Sequence, residues 1–373
     1  MSGAPIIGVA GLGTMGLGIA QVYASAGFCV IATDAHAPAR ASAQTRMADA
    51  LNARVMAGKL PPAARDATLG NLTVAEDLTS FAPCDLVIEA IIERLDAKQN
   101  LFAGLENIVA QTAILATNTS SIPVAAIASA ARHPERILAL HFFNPPTAMK
   151  LVELAPHAAT LKSYITFARQ VTETAGKTVI ECPDRPGFIV NRCARPFYGE
   201  ALALLQEGRS ASDIDAAMLA AGYRLGPLSL IDLIGADINL AATLGLSAAM
   251  GNHPRYHPFR ALHDQVASGH LGRKTGQGFV HPALPGPPPA DRAAIALRIE
   301  STLINEAHWL LAEGGTTKAG IDTALKLGLN FPRGPFECLL VHGRDAVLST
   351  LAALQADAPA ALKPRYAPGP GLA

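Results

Sequence analysis

Six short apolar runs punctuate the first half of this chain: Ile6 to Ala10, Val30 to Asp34, Asp85 to Glu89, Ile114 to Thr117, Ile137 to His141 and Leu151 to Leu154. Most are separated by helix-length segments. Runs this short and this continuous are what strands look like when helices cover both faces of a parallel sheet. Past Pro186 such runs vanish and the sequence turns amphipathic, with Phe197, Ala201, Leu204 and Leu205 at three- and four-residue steps before Gly208. The expected class is α/β, a parallel-sheet domain followed by an all-α domain.

The helical half repeats itself. At 373 residues the chain exceeds what one core holds, about 250 to 300 residues, so two or more domains are expected. A proline-rich connector, His281 to Pro289, interrupts the helices. Around it, Glu200 with Glu207-Gly208 matches Glu306 with Glu313-Gly314 at an offset of 106, and Asp215 matches Asp322 at 107. Gly226-Pro227 matches Gly334-Pro335, and Gly235 matches Gly343, both at 108. Landmarks in fixed order with one-residue slips point to a duplicated helical module. The expected organisation is a sheet domain over 1–185, a first helical module over 186–281 and a second over 290–373.

Thirty basic and thirty acidic side chains cancel, so no global field draws nucleic acid or an anionic membrane. The first 33 residues are uncharged, but they lack a basic start and are broken by glycines at 3, 8, 11, 13, 16 and 18, which is unlike a signal peptide. The later uncharged stretch Thr112 to Ala131 contains Asn118, Ser120, Ser121 and Pro123, unlike a membrane span. A soluble, cytoplasmic protein without membrane partners is expected. Five cysteines with no CxxC pair read as reduced thiols packed in the core, with no disulfide frame and no metal site.

The strongest local motif is Gly11-Leu12-Gly13-Thr14-Met15-Gly16, directly after the first apolar run and before a helical pattern from Met15 to Ala26. Its glycines permit a tight turn, close approach of backbone to a pyrophosphate and close helix–strand packing, in the manner of a Rossmann-type dinucleotide site. Asp34 ends the next run 23 residues after Gly11, where a carboxylate accepts hydrogen bonds from a ribose and repels a 2′-phosphate. NAD is the expected cofactor.

Oxidation of an alcohol needs a base, and histidine suits this because it titrates near neutrality. His141 closes an apolar run, at a strand end where α/β sheets place their ligands. Taken alone, a histidine there is more often structural. Glu153, in the next run beyond a Pro145-Pro146 turn, changes that balance, because a carboxylate on one ring nitrogen sets the tautomer and stabilises the imidazolium. The bland alternative is a salt bridge at a domain junction. Thr117-Asn118-Thr119-Ser120-Ser121 precedes a proline-initiated helix, so one hydroxyl is expected to be its N-cap; five polar side chains exceed that need. Asn191 sits on an otherwise apolar helix start, either bonded to backbone or facing a ligand.

As a set these stretches resemble the 3-hydroxyacyl-CoA dehydrogenase family across nearly the whole chain: residues 8–27, 85–98, 117–121, 141–154, 186–192, 272–279 and the twice-used EG–ID–GP pattern. The resemblance implies that His141 is the base with Glu153 as its partner, and that Ser120 and Asn191 contact the hydroxyl and thioester of the substrate. It implies NAD contacts from the glycine loop with Thr14 and Met15, and from Asp34, Glu93, Lys98, Asn118, Ser120 and Asn144. Where the family offers a serine and a lysine to CoA, this chain has alanines near Ala50 and Ala57; Asn52, Arg54 and Lys59 are the candidate substitutes.

The leading expectation is oxidation of a short-chain (S)-3-hydroxyacyl-CoA, or the reverse, in fatty-acid, butyrate or aromatic catabolism. The same chemistry on an acyl carrier protein thioester is an alternative that the two alanines fit. A catalytically idle binding protein is another, against which the complete set of His141, Glu153, Ser120 and Asn191 argues. The second helical module lacks the Asn191 segment: an offset of 106 lands on Leu297. It is therefore expected to be a packing module, giving a monomer with an internal pseudo-dimer, with a homodimer as the alternative.

Overall fold

The structure, a computed structural model, describes residues 4–373. The chain divides after Arg185 into two compact units.

In the first unit, β1 (Ile7–Ala10), β2 (Val30–Thr33), β3 (Leu72–Val74), β4 (Leu86–Glu89), β5 (Ile114–Thr117), β6 (Ile137–Phe142), β7 (Leu151–Pro156) and β8 (Thr178–Glu181) form one sheet. Its order is β3-β2-β1-β4-β5-β6-β7-β8. The connecting helices are α1 (Thr14–Ser25), α2 (Ala37–Met56), α3 (Pro62–Gly70), α4 (Leu95–Leu105), α5 (Val124–Ala128) and α6 (Lys162–Thr174). Every residue of β1, β4, β5 and β6 is buried, which is why these runs are apolar without alternation.

Two strands carry no apolar run in the sequence reading, β3 and β8. Both are edges of the sheet with partly exposed residues, so neither needs a continuous hydrophobic stretch. The sheet is also not wholly parallel. β1 to β6 run one way, whereas β7 pairs antiparallel with β6 and parallel with β8. The turn from β6 to β7 is too short for the crossover a parallel pair requires, about a dozen residues or more, so the chain must reverse. One cysteine departs from expectation too: Cys29 is exposed, while Cys84, Cys182, Cys193 and Cys338 are buried, and all five are free thiols.

The second unit is helical: α7 (Val190–Gln206), α8 (Ala211–Ala220), α9 (Pro227–Ile234), α10 (Ala236–Ala249), α11 (Arg260–Ala267), α12 (Arg292–Ala312), α13 (Lys318–Leu329), α14 (Pro335–His342) and α15 (Arg344–Asp357). The series α12 to α15 repeats the order of α7 to α10, and α12 packs along α7 and α8 as well as α14 and α15. The repeated Asp and Gly-Pro landmarks are helix-start devices. Asp215 accepts the amides of Leu228 and Ser229 at 3.0 and 2.7 Å, and Asp322 accepts that of Phe336 at 2.8 Å. A Cβ on Gly226 or Gly334 would lie 2.3 Å from the corresponding carboxylate, so only glycine lets each acid reach the next helix. Among the described residues, no single helix is long and apolar enough to cross a membrane.

Candidate active site

The glycine loop has three different tasks for its three glycines. Gly11 has φ +105°, and a Cβ there would meet the carbonyl oxygen of Ala90 at 2.5 Å. A Cβ on Gly16 would lie 1.9 Å from the Gly11 carbonyl oxygen, so α1 packs directly on the strand end. At Gly13 nothing stands within 4 Å of an added Cβ, which leaves open backbone. Helix α1 begins there without a side-chain cap or an acid in its first turn. Its unpaired N–H groups and positive dipole end suit a pyrophosphate.

Asp34 follows β2 and is anchored by this loop. Its carboxylate accepts the Leu12 amide at 2.7 Å and the His36 amide at 2.8 Å, one on each oxygen, and lone pairs remain on both. Beside it opens a cavity of about 600 Å³ lined by Gly11, Asp34, Arg40, Asp77, Thr79 and Ile91 among others. Arg40, absent from the sequence reading, donates Nη1 to the Asp34 carbonyl at 2.5 Å. The residues present therefore fit a dinucleotide with a ribose at Asp34.

Glu93 and Lys98 belong to a network around a residue the sequence reading missed. Glu89 ends β4 fully buried and accepts the Lys98 ammonium at 2.6 Å, the Thr117 hydroxyl at 2.6 Å and the Ile91 amide at 2.7 Å. Its only sequence signal is a carboxylate closing an apolar strand. Lys98 also reaches Glu93 at 3.1 Å, and Glu93 accepts the hydroxyls of Thr119 and Ser121. Burial alone would push the Glu93 pKa up, but these hydroxyls and the Lys98 charge hold it below the usual carboxylate value.

The polar segment after β5 is divided among several tasks. Asn118 accepts the Phe142 amide at 2.8 Å and so ties the ends of β5 and β6 together. Thr119 accepts the amides of Ser121 and Ile122 at 3.3 and 3.0 Å. The expected hydroxyl cap on the next helix is not found; Asp184 instead accepts the amides of Val124 and Ala125, both at 2.8 Å. An acid brought in from far along the chain left nothing for local spacing to reveal. Ser120, half-buried, makes no hydrogen bond among the described residues.

His141 and Glu153 stand opposite each other in the β6–β7 register. Nδ1 of His141 lies 2.8 Å from Oε2 of Glu153, with His141 7% exposed and Glu153 wholly buried. A carboxylate on Nδ1 leaves Nε2 as the nitrogen for proton uptake and stabilises the imidazolium that results. Asn144 is exposed in the β6–β7 turn. At the candidate CoA positions Ala50 and Ala57 are exposed, as are Arg54 and Lys59, while Asn52 accepts Arg65 at 3.0 Å. In the second unit Asn191 lies half-buried in the first turn of α7, and its carbonyl accepts Nε of Arg195 at 3.1 Å. Among the described residues, no group of three or more His, Cys, Asp or Glu is placed to hold a metal ion.

Two family models match the chain: the NAD-binding domain of 3-hydroxyacyl-CoA dehydrogenase over residues 6–185, and the C-terminal domain of the same enzyme over 187–281 and 295–370. The chain belongs to the 3-hydroxyacyl-CoA dehydrogenase family. Like other 3-hydroxyacyl-CoA dehydrogenases, it is an NAD-dependent oxidoreductase. It is 43% identical over 274 residues to the 3-hydroxyadipyl-CoA dehydrogenase of Escherichia coli K12, a match that takes in 73% of this chain but only 58% of that longer protein. It is 41% identical over 280 residues to a probable 3-hydroxybutyryl-CoA dehydrogenase of Deinococcus radiodurans, 73% of this chain and 98% of that one. The crystal structure of an Escherichia coli K12 3-hydroxybutyryl-CoA dehydrogenase superposes with a TM-score of 0.91 at 31% identity, covering 99% of this chain and 98% of that one. The carrier-protein alternative and the idle binding role find no support among these dehydrogenases.

Proposed function

We propose that this dehydrogenase oxidises the 3-hydroxyl of a short-chain (S)-3-hydroxyacyl-CoA to the 3-oxo ester, or runs the reverse, as the names of its relatives suggest. Bound NAD supplies the hydride acceptor. His141 takes the hydroxyl proton on Nε2, and Glu153 holds the ring by Nδ1 and stabilises its protonated form. Ser120 and Asn191 position the hydroxyl and thioester. The glycine loop and the α1 N-terminus hold the pyrophosphate, Asp34 reads the ribose, and Thr14, Met15, Glu93, Lys98, Asn118 and Asn144 line the cofactor. The observation that carries this reading is the 2.8 Å contact between His141 and Glu153 on neighbouring antiparallel strands. A nicotinamide absorbance assay across 3-hydroxyacyl-CoA esters of graded length, beside carrier-protein esters, tests it. Reduction of NAD by the short CoA esters is expected; none with any CoA ester would overturn it.

The same proposal assigns the second helical module, residues 290–373, a packing role without a site of its own, and makes the protein a cytoplasmic monomer with an internal pseudo-dimer. Leu297, which occupies the place of Asn191, packs against the cluster of Ile304, Cys338, Val347 and Leu351 and offers no polar group. Sedimentation of the intact chain distinguishes this from a homodimer.

A further inference from the structure

Buried arginines normally carry a carboxylate with them, because an unpaired charge out of water is costly. In the helical unit the buried Arg192 and Arg365 obey this, as does the half-buried Arg298, each resting on a buried glutamate. Arg195 does not. It is 7% exposed and has no carboxylate within ion-pair reach among the described residues. Its Nε donates to the Asn191 carbonyl at 3.1 Å, and its Nη1 to the Asn239 carbonyl at 3.3 Å and the Thr243 hydroxyl at 3.0 Å. The guanidinium stands 4.9 Å from the Tyr198 ring centroid, and among the described residues Nη2 makes no hydrogen bond. Burial draws its pKa below the usual arginine value, with only Tyr198 acting in the other direction.

The helix facing Arg195 is built in an equally unusual way. Asn239, Thr243 and Ser247, at steps of four, place a stripe of buried polar side chains along α10. Asn239 is 2% exposed, yet among the described residues neither its amide nitrogen nor its amide oxygen has a partner. An orphaned buried amide calls for an explanation. Arg195 lies about one turn from Asn191 on α7, about 6 Å along the axis.

We infer that Arg195 and Asn239 form a recognition site for a carboxylate at the far end of the acyl chain, so that the preferred substrates are 3-hydroxyacyl-CoA esters of dicarboxylic acids. This rests on the proposed reading that Asn191 contacts the ester. An alkyl tail would leave both the charge and the amide unpaired. A hydroxyl would pair the amide without neutralising the guanidinium. A carboxylate does both, accepting from Nη2 of Arg195 and from the amide nitrogen of Asn239.

The test uses the full chain and two six-carbon 3-hydroxyacyl-CoA esters that differ only at the last carbon, one ending in a carboxylate and the other in a methyl. The wild type should favour the acidic ester in kcat/KM by roughly tenfold or more. Arg195→Met should collapse that ratio, chiefly through KM of the acidic ester, Arg195→Lys should retain part of it, and Asn239→Leu should lower it. Preference of the wild type for the methyl-ended ester would overturn the inference without any variant. An equal loss on both esters in Arg195→Met would also overturn it, making Arg195 a structural group or a contact to the CoA phosphates common to both. Oxidation of neither ester by the wild type would overturn this inference, while the graded-length panel of CoA esters decides the dehydrogenase reading separately.

Discussion

Arg192 and Arg298, 106 residues apart, use the same three nitrogens on equivalent glutamates of the opposite repeat. Arg192 gives Nε to Glu306 at 2.7 Å and a two-pronged grip to Glu313 at 2.8 and 2.7 Å. Arg298 gives Nε to Glu200 at 2.8 Å and the same grip to Glu207 at 2.6 and 2.7 Å. The pattern extends outward, with Arg255 and Tyr256 on Glu306, and Arg365 and Tyr366 on Glu200. Such an arrangement is isologous, the kind a two-fold dimer makes, here within one chain.

The reciprocal pairs should carry much of the stability of the helical unit. Burial alone would lower the pKa of Arg298, but Glu207 and Glu200 hold it well above the usual arginine value. Arg298→Met leaves buried Glu200 with only Arg365 and Tyr366 as partners, the loss of a charged hydrogen bond worth about 1.5 to 3 kcal/mol. Urea denaturation should show that loss, with NAD affinity unchanged. Ending the chain at Val280 removes α12 and should give aggregates or new dimers in sedimentation. A well-folded, fully active truncated monomer would refute the packing role of the second module.

His141→Gln should abolish turnover while NAD still binds, since the glycine loop and Asp34 are untouched. Loss of a general base costs about 10² to 10⁴ in rate. Turnover within a few-fold of wild type would remove His141 from the chemistry. Glu153→Gln should also slow the reaction, and a normal rate there would reduce Glu153 to a structural partner.

Asp34→Ala should weaken NAD and narrow its advantage over NADP, because hydrogen bonds to a charged acceptor are worth about 1.5 to 3 kcal/mol each. The substitution also frees the Leu12 and His36 amides that shape the loop. Asp34→Asn, which keeps an acceptor but not the charge, separates the two effects. Fluorescence titration with both cofactors measures this, and an unchanged preference in both variants would mean that another group reads the ribose.

Glu93 should contribute to acid sensitivity. Its folded pKa lies below the unfolded carboxylate value of about 4.3, so its contribution is complete above that pH and is lost as pH falls through the folded value. Thermal stability of the wild type should therefore decline between about pH 5 and pH 3, and Glu93→Gln should flatten that decline. An identical slope in the two proteins would show that the network around Lys98 stores no such linkage.

Fold class, the glycine loop, Asp34 and the His141–Glu153 pair were legible from residue order alone, because each rests on local chemistry. A buried parallel strand must be apolar throughout, a pyrophosphate turn must contain glycine, and a strand end next to a short turn places one side chain against another. The helical repeat was legible for the same reason, since its Asp and Gly-Pro landmarks build the starts of α9 and α14 within each module. Groups whose partners come from distant segments were invisible. Glu89 gathers Lys98, Thr117 and Ile91 only because β4, β5 and α4 converge on it, and Asp184 caps α5 from 60 residues away. β3 and β8 escaped notice because a sheet edge need not be hydrophobic, whereas the reversal of β7 follows from the short turn after β6 once the two strands are known to pair. Arg195 reads in the sequence as one more basic residue on a helix. Only packing removes it from water, withholds a carboxylate and sets an unpaired Asn239 beside it, because burial and charge compensation belong to the folded chain and to no single stretch of it.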